Sequence, residues 1–269
     1  MTPEAAEKLD AFFEVLHGGA GPLLLLDYDG TLAPFRVNRF DARPWAGARE
    51  LLGRIQKQGQ TRIAVVTGRP AGEIGPLLEL EQAVEAWGLH GAERLYSDGR
   101  RELESATPAT LEKLQELREH LQQDSLGGLF EDKPNAAVMH WRGASPKKAR
   151  AIEKRTRALF EPLAQWDGLR LLEFEAGLEL RAGRDKGGAV EAILSEAAGD
   201  PPVAYLGDDL TDEAAFRAVN ETGKRGLSVL MRRAWRKTDA QVWLRPPVEL
   251  RGFLARWAKA MESRAEATA

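Results

Sequence analysis

Leu23 to Leu26 form an unbroken apolar run that stops at Asp27, Tyr28 and Asp29. Apolar residues without alternation mark a strand covered on both faces, the situation of a central parallel strand. "PWAGARELLGRIQKQG" then places apolar residues at helical spacing, and "TRIAVVTGRP" is a second short β-branched run that closes on Thr67 and Gly68. Pro70 suits the first turn of a following helix, and "AVEAWGLHGAERLYSDG" predicts a strand leading into a hairpin. Upstream, "MTPEAAEKLDAFFEVLHGG" is an amphipathic helix that Gly18 and Gly19 should stop. Far downstream the alternation resumes: helix in "KGGAVEAILSEAAG", strand in "PPVAYLGDD", helix in "TDEAAFRAVNETG", strand in "GLSVLM", closing helix in "PPVELRGFLARWAKAM". Strands and helices in turn imply an α/β fold built on a doubly wound parallel sheet.

Between these halves, over residues 104–182, the texture changes. A helix in "TPATLEKLQELREHLQQ" is followed by strands in "GGLFEDKP" and "NAAVMHWR", a helix in "SPKKARAIEKRTRALFEPL", and "LRLLEFEAGLELRAG". That last stretch alternates apolar and polar positions, as a sheet with one wet face does, so Glu179 and Arg181 are expected to be solvated. The pattern predicts a small α/β cap inserted into a core made of residues 1–103 and 183–269. The charges of "KKARAIEKRTR" fit a solvated helix face.

Composition removes several function classes. A net charge of -3 leaves no footprint for nucleic acid or an acidic membrane surface. No apolar run approaches membrane-spanning length, and the acidic first helix resembles neither signal nor transit peptide. The expectation is a cytoplasmic monomer acting on a small molecule. With no cysteine in the chain, disulfides, thiolate metal sites and a cysteine nucleophile are excluded. No glycine-rich nucleotide loop of the G-x-x-x-x-G-K-[ST] kind occurs, so ATP is not implied.

Ligands of open α/β sheets bind beyond the carboxyl ends of the strands, which makes the polar residues there a set. Asp27 and Asp29 are two apart and project to one side if the strand persists, while Gly30 permits a tight turn after them. Thr67 and Gly68 open a helix N-terminus suited to an anion. Asp208 and Asp209 end another strand, and Asp212 follows in the next turn. Hard carboxylate oxygens without histidine or cysteine beside them suit Mg²⁺. Lys186 in a helix's first turn opposes the macrodipole, a placement that a phosphoryl group and an aspartate to neutralise would explain. Ionised Asp27 could then attack phosphorus, while Asp29 protonates the leaving alcohol and later deprotonates water. Singly, each of these residues reads equally as a turn former, an N-cap or a surface lysine. Their joint order favours a phosphohydrolase.

In this order, "DYDGT", "VVTGR", "DKGGAV" and "GDDLTDE" resemble the four motifs of the haloacid dehalogenase superfamily of phosphatases. More narrowly, "LLLLDYDGTLAPF", "GLHGAE", "EDKPNAAVMHWR" and "GDDLTDEAAF" are similar to trehalose-6-phosphate phosphatases, over residues 22 to 220 or so. The resemblance implies a Rossmann-like core, an α/β cap, Mg²⁺ as cofactor and a sugar phosphate, trehalose 6-phosphate, as substrate. It carries over Asp27 as nucleophile, Asp29 as acid and base, and Thr67 and Lys186 as phosphate ligands. Asp27, Asp208 and the Asp29 carbonyl, with Asp209 beside them, are drawn to the metal. Gly68, Arg69 and His90 are drawn to the substrate, as are Glu131, Lys133 and Glu179 of the cap. Pro134 pushes Lys133 toward extended geometry, which sets Glu131 and Lys133 on one side. Where the family commonly has a proline and an Asn-Lys-Gly, this chain has Ala182 and Asp185-Lys186-Gly187, an extra acid beside the lysine. The competing readings are the same chemistry on another glycosyl phosphate, a receiver-like signalling domain and a binding module without catalysis.

Overall fold

The computed structural model describes residues 2–18, 21–104, 106–123, 129–133, 135–166, 168–174 and 176–268. Its first stretch runs α1 (Pro3–Gly18), β1 (Leu23–Leu26), α2 (Ala48–Lys57), β2 (Arg62–Val66), α3 (Ile74–Leu78), β3 (Glu85–Gly88), β4 (Glu93–Leu95) and β5 (Arg101–Leu103). Then come α4 (Pro108–Gln123), β6 (Phe130–Lys133), β7 (Ala136–His140), α5 (Pro146–Leu163), β8 (Leu169–Phe174) and β9 (Gly177–Ala182). The last stretch is α6 (Lys186–Glu196), β10 (Val203–Gly207), α7 (Glu213–Asn220), β11 (Gly226–Met231), β12 (Val242–Leu244) and α8 (Val248–Thr268). The chain separates into two compact units, Met1–Leu103 with Lys186–Asp208 and Asp212–Ala269, and Glu104–Asp185 with Asp209–Thr211.

The first unit is an 8-stranded sheet in the order β12-β11-β10-β1-β2-β3-β4-β5. It is parallel from β12 to β3 and antiparallel through β4 and β5. The four leucines of β1 are all buried because β1 lies between β10 and β2 with helices on both faces. Leu24 and Leu26 pack with α1, α2 and α8 through Phe13, Leu52 and Trp257, while Leu23 and Leu25 pack with α6 and α7 through Val190 and Phe216. The doubly wound α/β sheet expected from the alternation is thus present. Strand order reverses at β1, since the chain moves to β2 on one side and returns as β10 on the other, so the carboxyl ends of β1 and β10 flank a switch point.

Local departures have local causes. Helix α1 ends at Gly18; Gly19 lies outside the described residues. After Pro70 the chain makes a 3-10 turn over Ala71–Glu73 before the short α3, in a segment where Gly72, Gly75 and Pro76 weaken a longer helix. Strand β12 has only three residues, too few for a pattern.

The second unit is a 4-stranded antiparallel sheet in the order β6-β7-β9-β8 with α4 and α5. Ala137, Met139, Leu178, Leu180 and Ala182 pack with Leu114, Leu117 and Phe160 of the helices. The wet face expected for "GLELR" is absent: Glu179 and Arg181 are 4% and 6% exposed. β9 is an inner strand, and Lys133 reaches Glu179 at 3.2 Å while Arg181 lies 3.5 Å from it, so these long side chains cover one another.

A ring of charges ties α6 to the large sheet. Glu85 accepts from Arg62 Nε at 2.8 Å, Arg94 Nε at 2.8 Å and the Trp87 indole at 2.8 Å. Glu196, the last residue of α6, accepts from Arg62 at 2.9 Å and Arg94 at 2.7 Å, and these bonds, Arg94's foremost, hold its carboxyl down at about 2. The first residue of this helix is Lys186, so the ring fixes the element that aims the lysine. Glu85→Ala leaves the buried Arg94 with half its partners and should cost about 3 kcal/mol or more in urea unfolding; a loss under about 1 kcal/mol would reduce the ring to a surface pair.

Candidate active site

Asp27 prolongs β1 by one rung, its N–H donating to the Leu206 carbonyl at 2.8 Å. The alternation of a strand then sends Tyr28 the other way, where its hydroxyl donates to the Ala42 carbonyl at 2.6 Å. Gly30 turns the chain with φ at +85°, and a Cβ there would lie 2.1 Å from Asp208 Oδ2. Only glycine satisfies both the backbone angle and that close approach.

At the end of β10 the chain makes a 3-10 turn, Leu210–Asp212, which folds Asp212 back so that its Oδ2 accepts from the Asp208 N–H at 2.9 Å. A Cβ on Gly207 would lie 2.4 Å from Asp212 Cγ, so this carboxylate rests on bare backbone. Lys186 Nζ donates to Asp27 Oδ1 and to Asp212 Oδ1, both at 2.7 Å, and the Tyr205 hydroxyl donates to Asp212 Oδ1 at 2.7 Å. Asp27, Asp208 and Asp212 bring oxygens within 4.8 Å of one another, all buried. Arg232 and Arg236 lie 3.4 and 3.5 Å from the Asp208 carbonyl.

Asp27 and Asp212 share one ammonium in a dry place. Burial, with Asp212 and Asp29 nearby and only Lys186 opposing, pushes the Asp27 carboxyl up to about 7. Burial alone would lower the Lys186 ammonium, but Asp212 and Asp27 outweigh it and hold it above its ordinary value. Burial and the same two acids raise the Tyr205 phenol well above its usual range, so it stays a donor.

Asp29 stands apart from this cluster. It is partly exposed and takes a two-pronged contact from Arg69, at 2.6 and 2.7 Å, with the guanidinium 5.3 Å above the Tyr28 ring. Thr67 directly follows β2, is buried, and its hydroxyl accepts from the Arg69 N–H at 3.2 Å. Gly68 carries the His90 ring, whose Cε1 would sit 2.8 Å from a Cβ on that glycine. Leu89 and His90 both hold φ in the left-handed region, at 50° and 59°, strain fixed by their N–H bonds to the Arg69 and Thr67 carbonyls.

Asp27, Lys186, Asp208 and Asp212 therefore form one cluster, while Asp29, Thr67, Gly68, Arg69 and His90 surround the adjoining ends of β1 and β2. Asp209, expected beside the metal, is not in the acidic triple; Asp212 is. Tyr205 went unforeseen because "PPVAYLG" reads simply as a buried strand, and the role of Asp212 depends on a turn that its four-residue offset from Asp208 only hints at. In the inserted unit, Glu131, Lys133 and Glu179 share one sheet face, opposite the residues packed on α4 and α5, with Lys133 and Glu179 paired at 3.2 Å.

The raised Asp27 sets a sign for stability. Between its ordinary 3.8 and about 7 the folded chain holds a proton that the unfolded chain has lost, so this group's contribution falls as pH rises through that window. In EDTA, Asp27→Asn should therefore raise Tm at about pH 8, with a gain that shrinks toward about pH 4. A gain independent of pH would remove the burial argument.

The family model described as trehalose-phosphatase matches residues 25–243. A trehalose-phosphate phosphatase of Mycolicibacterium paratuberculosis is 27% identical over 97% of this chain and 68% of its own length. A probable trehalose-phosphate phosphatase of Sinorhizobium fredii is 33% identical over 77% of this chain and 76% of its own. Among solved structures, the trehalose-6-phosphate phosphatase of Aspergillus fumigatus shares the fold at a TM-score of 0.75 and 22% identity, covering 93% of this chain and 97% of that one. The chain belongs to the trehalose-phosphatase family and is a phosphoric monoester hydrolase.

Proposed function

We propose that the chain removes phosphate from trehalose 6-phosphate through an aspartyl phosphate on Asp27, with Mg²⁺ as cofactor. The observation that carries this reading is the buried contact of Asp27 with Lys186, backed by Asp212 and faced by Asp208. A lysine used only for packing needs one partner; this one is held between two acids at the switch point where ligands of such sheets bind.

The donor set fits Mg²⁺. It is oxygen only, the Lys186 ammonium is shared between Asp27 and Asp212, and Gly30 is bare where a Cβ would crowd Asp208. Asp27, Asp208 and the Asp29 carbonyl would hold the ion, with Asp209 as an outer carboxylate. Asp212 already spends both oxygens on Lys186, Tyr205 and the Asp208 N–H, so we assign it to anchoring the lysine. Bound there, Mg²⁺ offsets the repulsion between the phosphate and the carboxylate that approaches it.

Asp27 attacks phosphorus, and the bond from phosphorus to the sugar oxygen breaks as Asp29 gives that oxygen a proton. Lys186, a firm cation, stabilises charge on the transferring group, while the Thr67 hydroxyl and neighbouring N–H groups receive its oxygens. Water then loses a proton to Asp29 and attacks phosphorus, which releases Asp27. In the resting chain Arg69 holds both oxygens of the Asp29 carboxylate, and it releases one of them when Asp29 carries the proton. The names of the relatives support the substrate, and the shared face of Glu131, Lys133 and Glu179 supports sugar recognition, since acids with a donor between them read hydroxyls through charge-assisted bonds.

A panel of sugar phosphates assayed for phosphate release with Mg²⁺ or EDTA tests the whole reading: trehalose 6-phosphate should lead the panel and EDTA should silence it. Preference for another sugar would move the substrate, and full activity in EDTA would remove the metal. Asp27→Asn should keep the fold and lose turnover, and fluoroberyllate should inhibit the wild type as an aspartyl phosphate mimic. Lys133→Ala should lower kcat/KM for trehalose 6-phosphate by about 10-fold or more and spare p-nitrophenyl phosphate; equal losses on both would indicate a folding defect instead.

A further inference from the structure

The proposed role of Glu131 leaves a physical difficulty. It stands on β6, an edge strand of the smaller sheet, with a half-exposed side chain. A glutamate there has rotamers to lose before it can read a hydroxyl, and that loss weakens binding. Three residues in register across β7, β9 and β8 supply an answer: His140 pairs with Gly177, and Gly177 pairs with Phe174.

Gly177 has no side chain, and a Cβ there would sit 2.0 Å from Phe174 Cζ. The Phe174 ring therefore lies across β9 and meets the His140 imidazole edge to face, centroids 5.4 Å apart at 62°. So held, the imidazole brings Nε2 to 2.7 Å from Glu131 Oε2. An ionised carboxylate only accepts, so the proton sits on Nε2 and His140 is the donor. One glutamate oxygen is thereby fixed, and Oε1 is left to accept from a substrate hydroxyl. From the same strand as Glu131, Lys133 reaches the Glu179 carboxylate on β9 at 3.2 Å.

We propose that His140, steadied by Phe174 over Gly177, is a positioning residue that orders Glu131 for sugar recognition. The inference rests on the reading in which Glu131 contacts the sugar. His140 itself touches the carboxylate and not the reacting atoms, so its loss should be felt in KM for the sugar phosphate and not in the phosphoryl step.

Kinetics of the full chain on trehalose 6-phosphate, with p-nitrophenyl phosphate as a sugar-free reporter of folding and chemistry, test this. His140→Ala should raise KM for trehalose 6-phosphate about fivefold, the scale of one ordinary hydrogen bond, with kcat kept. His140→Gln, whose amide can still donate, should recover most of the loss, and Phe174→Leu should show a smaller rise. In a Glu131→Ala background, adding His140→Ala should change KM no further. An unchanged KM in His140→Ala beside a raised KM in Glu131→Ala would overturn the positioning role, as would losses that add independently. If Glu131→Ala leaves KM unchanged, the sugar contact of Glu131 itself fails and this inference falls with it.

Discussion

A lysine ammonium buried between two aspartates is the constraint on which the larger unit is built. A charge taken from water costs several kcal/mol unless its partners are close and well aimed, and Lys186 is only 3% exposed. Its partners come from the end of β1 and from the turn after β10, so α6, β1 and β10 must converge at one point. The sequence meets that demand with missing side chains: a Cβ on Gly187 would lie 2.9 Å from that of Ala214, so α6 and α7 can approach, and Gly207 lets Asp212 lie on the backbone. At the far end of α6 the Arg62–Glu85–Arg94–Glu196 ring holds the helix on the sheet. The lysine is aimed from both ends of its helix.

The same cluster is frustrated by design of its charges. Asp27 and Asp212 share the one Lys186 ammonium, and burial, with Asp212 and Asp29 nearby, raises the Asp27 carboxyl to about 7. Local consistency of a fold fails where function needs it to fail. On the proposed reading, the site accepts a divalent cation and a phosphate, and it must be unsatisfied in its own right. The well-paired ring around Glu85 carries stability, while the cluster around Lys186 carries the chemistry on the proposed reading.

How much of this was legible in the sequence depends on where a residue's role is decided. The run Leu23–Leu26 announces a strand covered on both faces, because burial on both sides acts on every residue alike. Asp27, Lys186 and Asp208 were legible because strand ends and helix starts expose their chemistry in order along the chain. Tyr205 was hidden among apolar neighbours, and Asp212 needed the 3-10 turn that brings it back on Asp208. Glu179 and Arg181 misled for a related reason: alternation signals polarity, and polarity usually means solvent, but an inner strand with mutually paired charges buries them. His140 gave no signal at all, since its neighbour Phe174 becomes one only through a register that passes over a glycine.

Asp27 and Asp29 are chemically identical and two residues apart, yet their surroundings divide them. The Asp27 side chain is 5% exposed and touches a lysine; that of Asp29 is 27% exposed and lies in the fork of Arg69. The alternation of a strand would put both on one side, and the turn at Gly30, closed by its N–H bond to the Ala33 carbonyl, separates their environments immediately after. A buried acid beside a fixed cation is suited to attack, because water cannot compete for its oxygens. An acid open to solvent is suited to exchange protons, because water can reach it between steps. On the proposed reading, environment divides the two roles, as it does wherever one fold runs acid and base chemistry with a pair of like groups. Arg69 then matters beside either aspartate, because its guanidinium holds both Asp29 oxygens at the strand end.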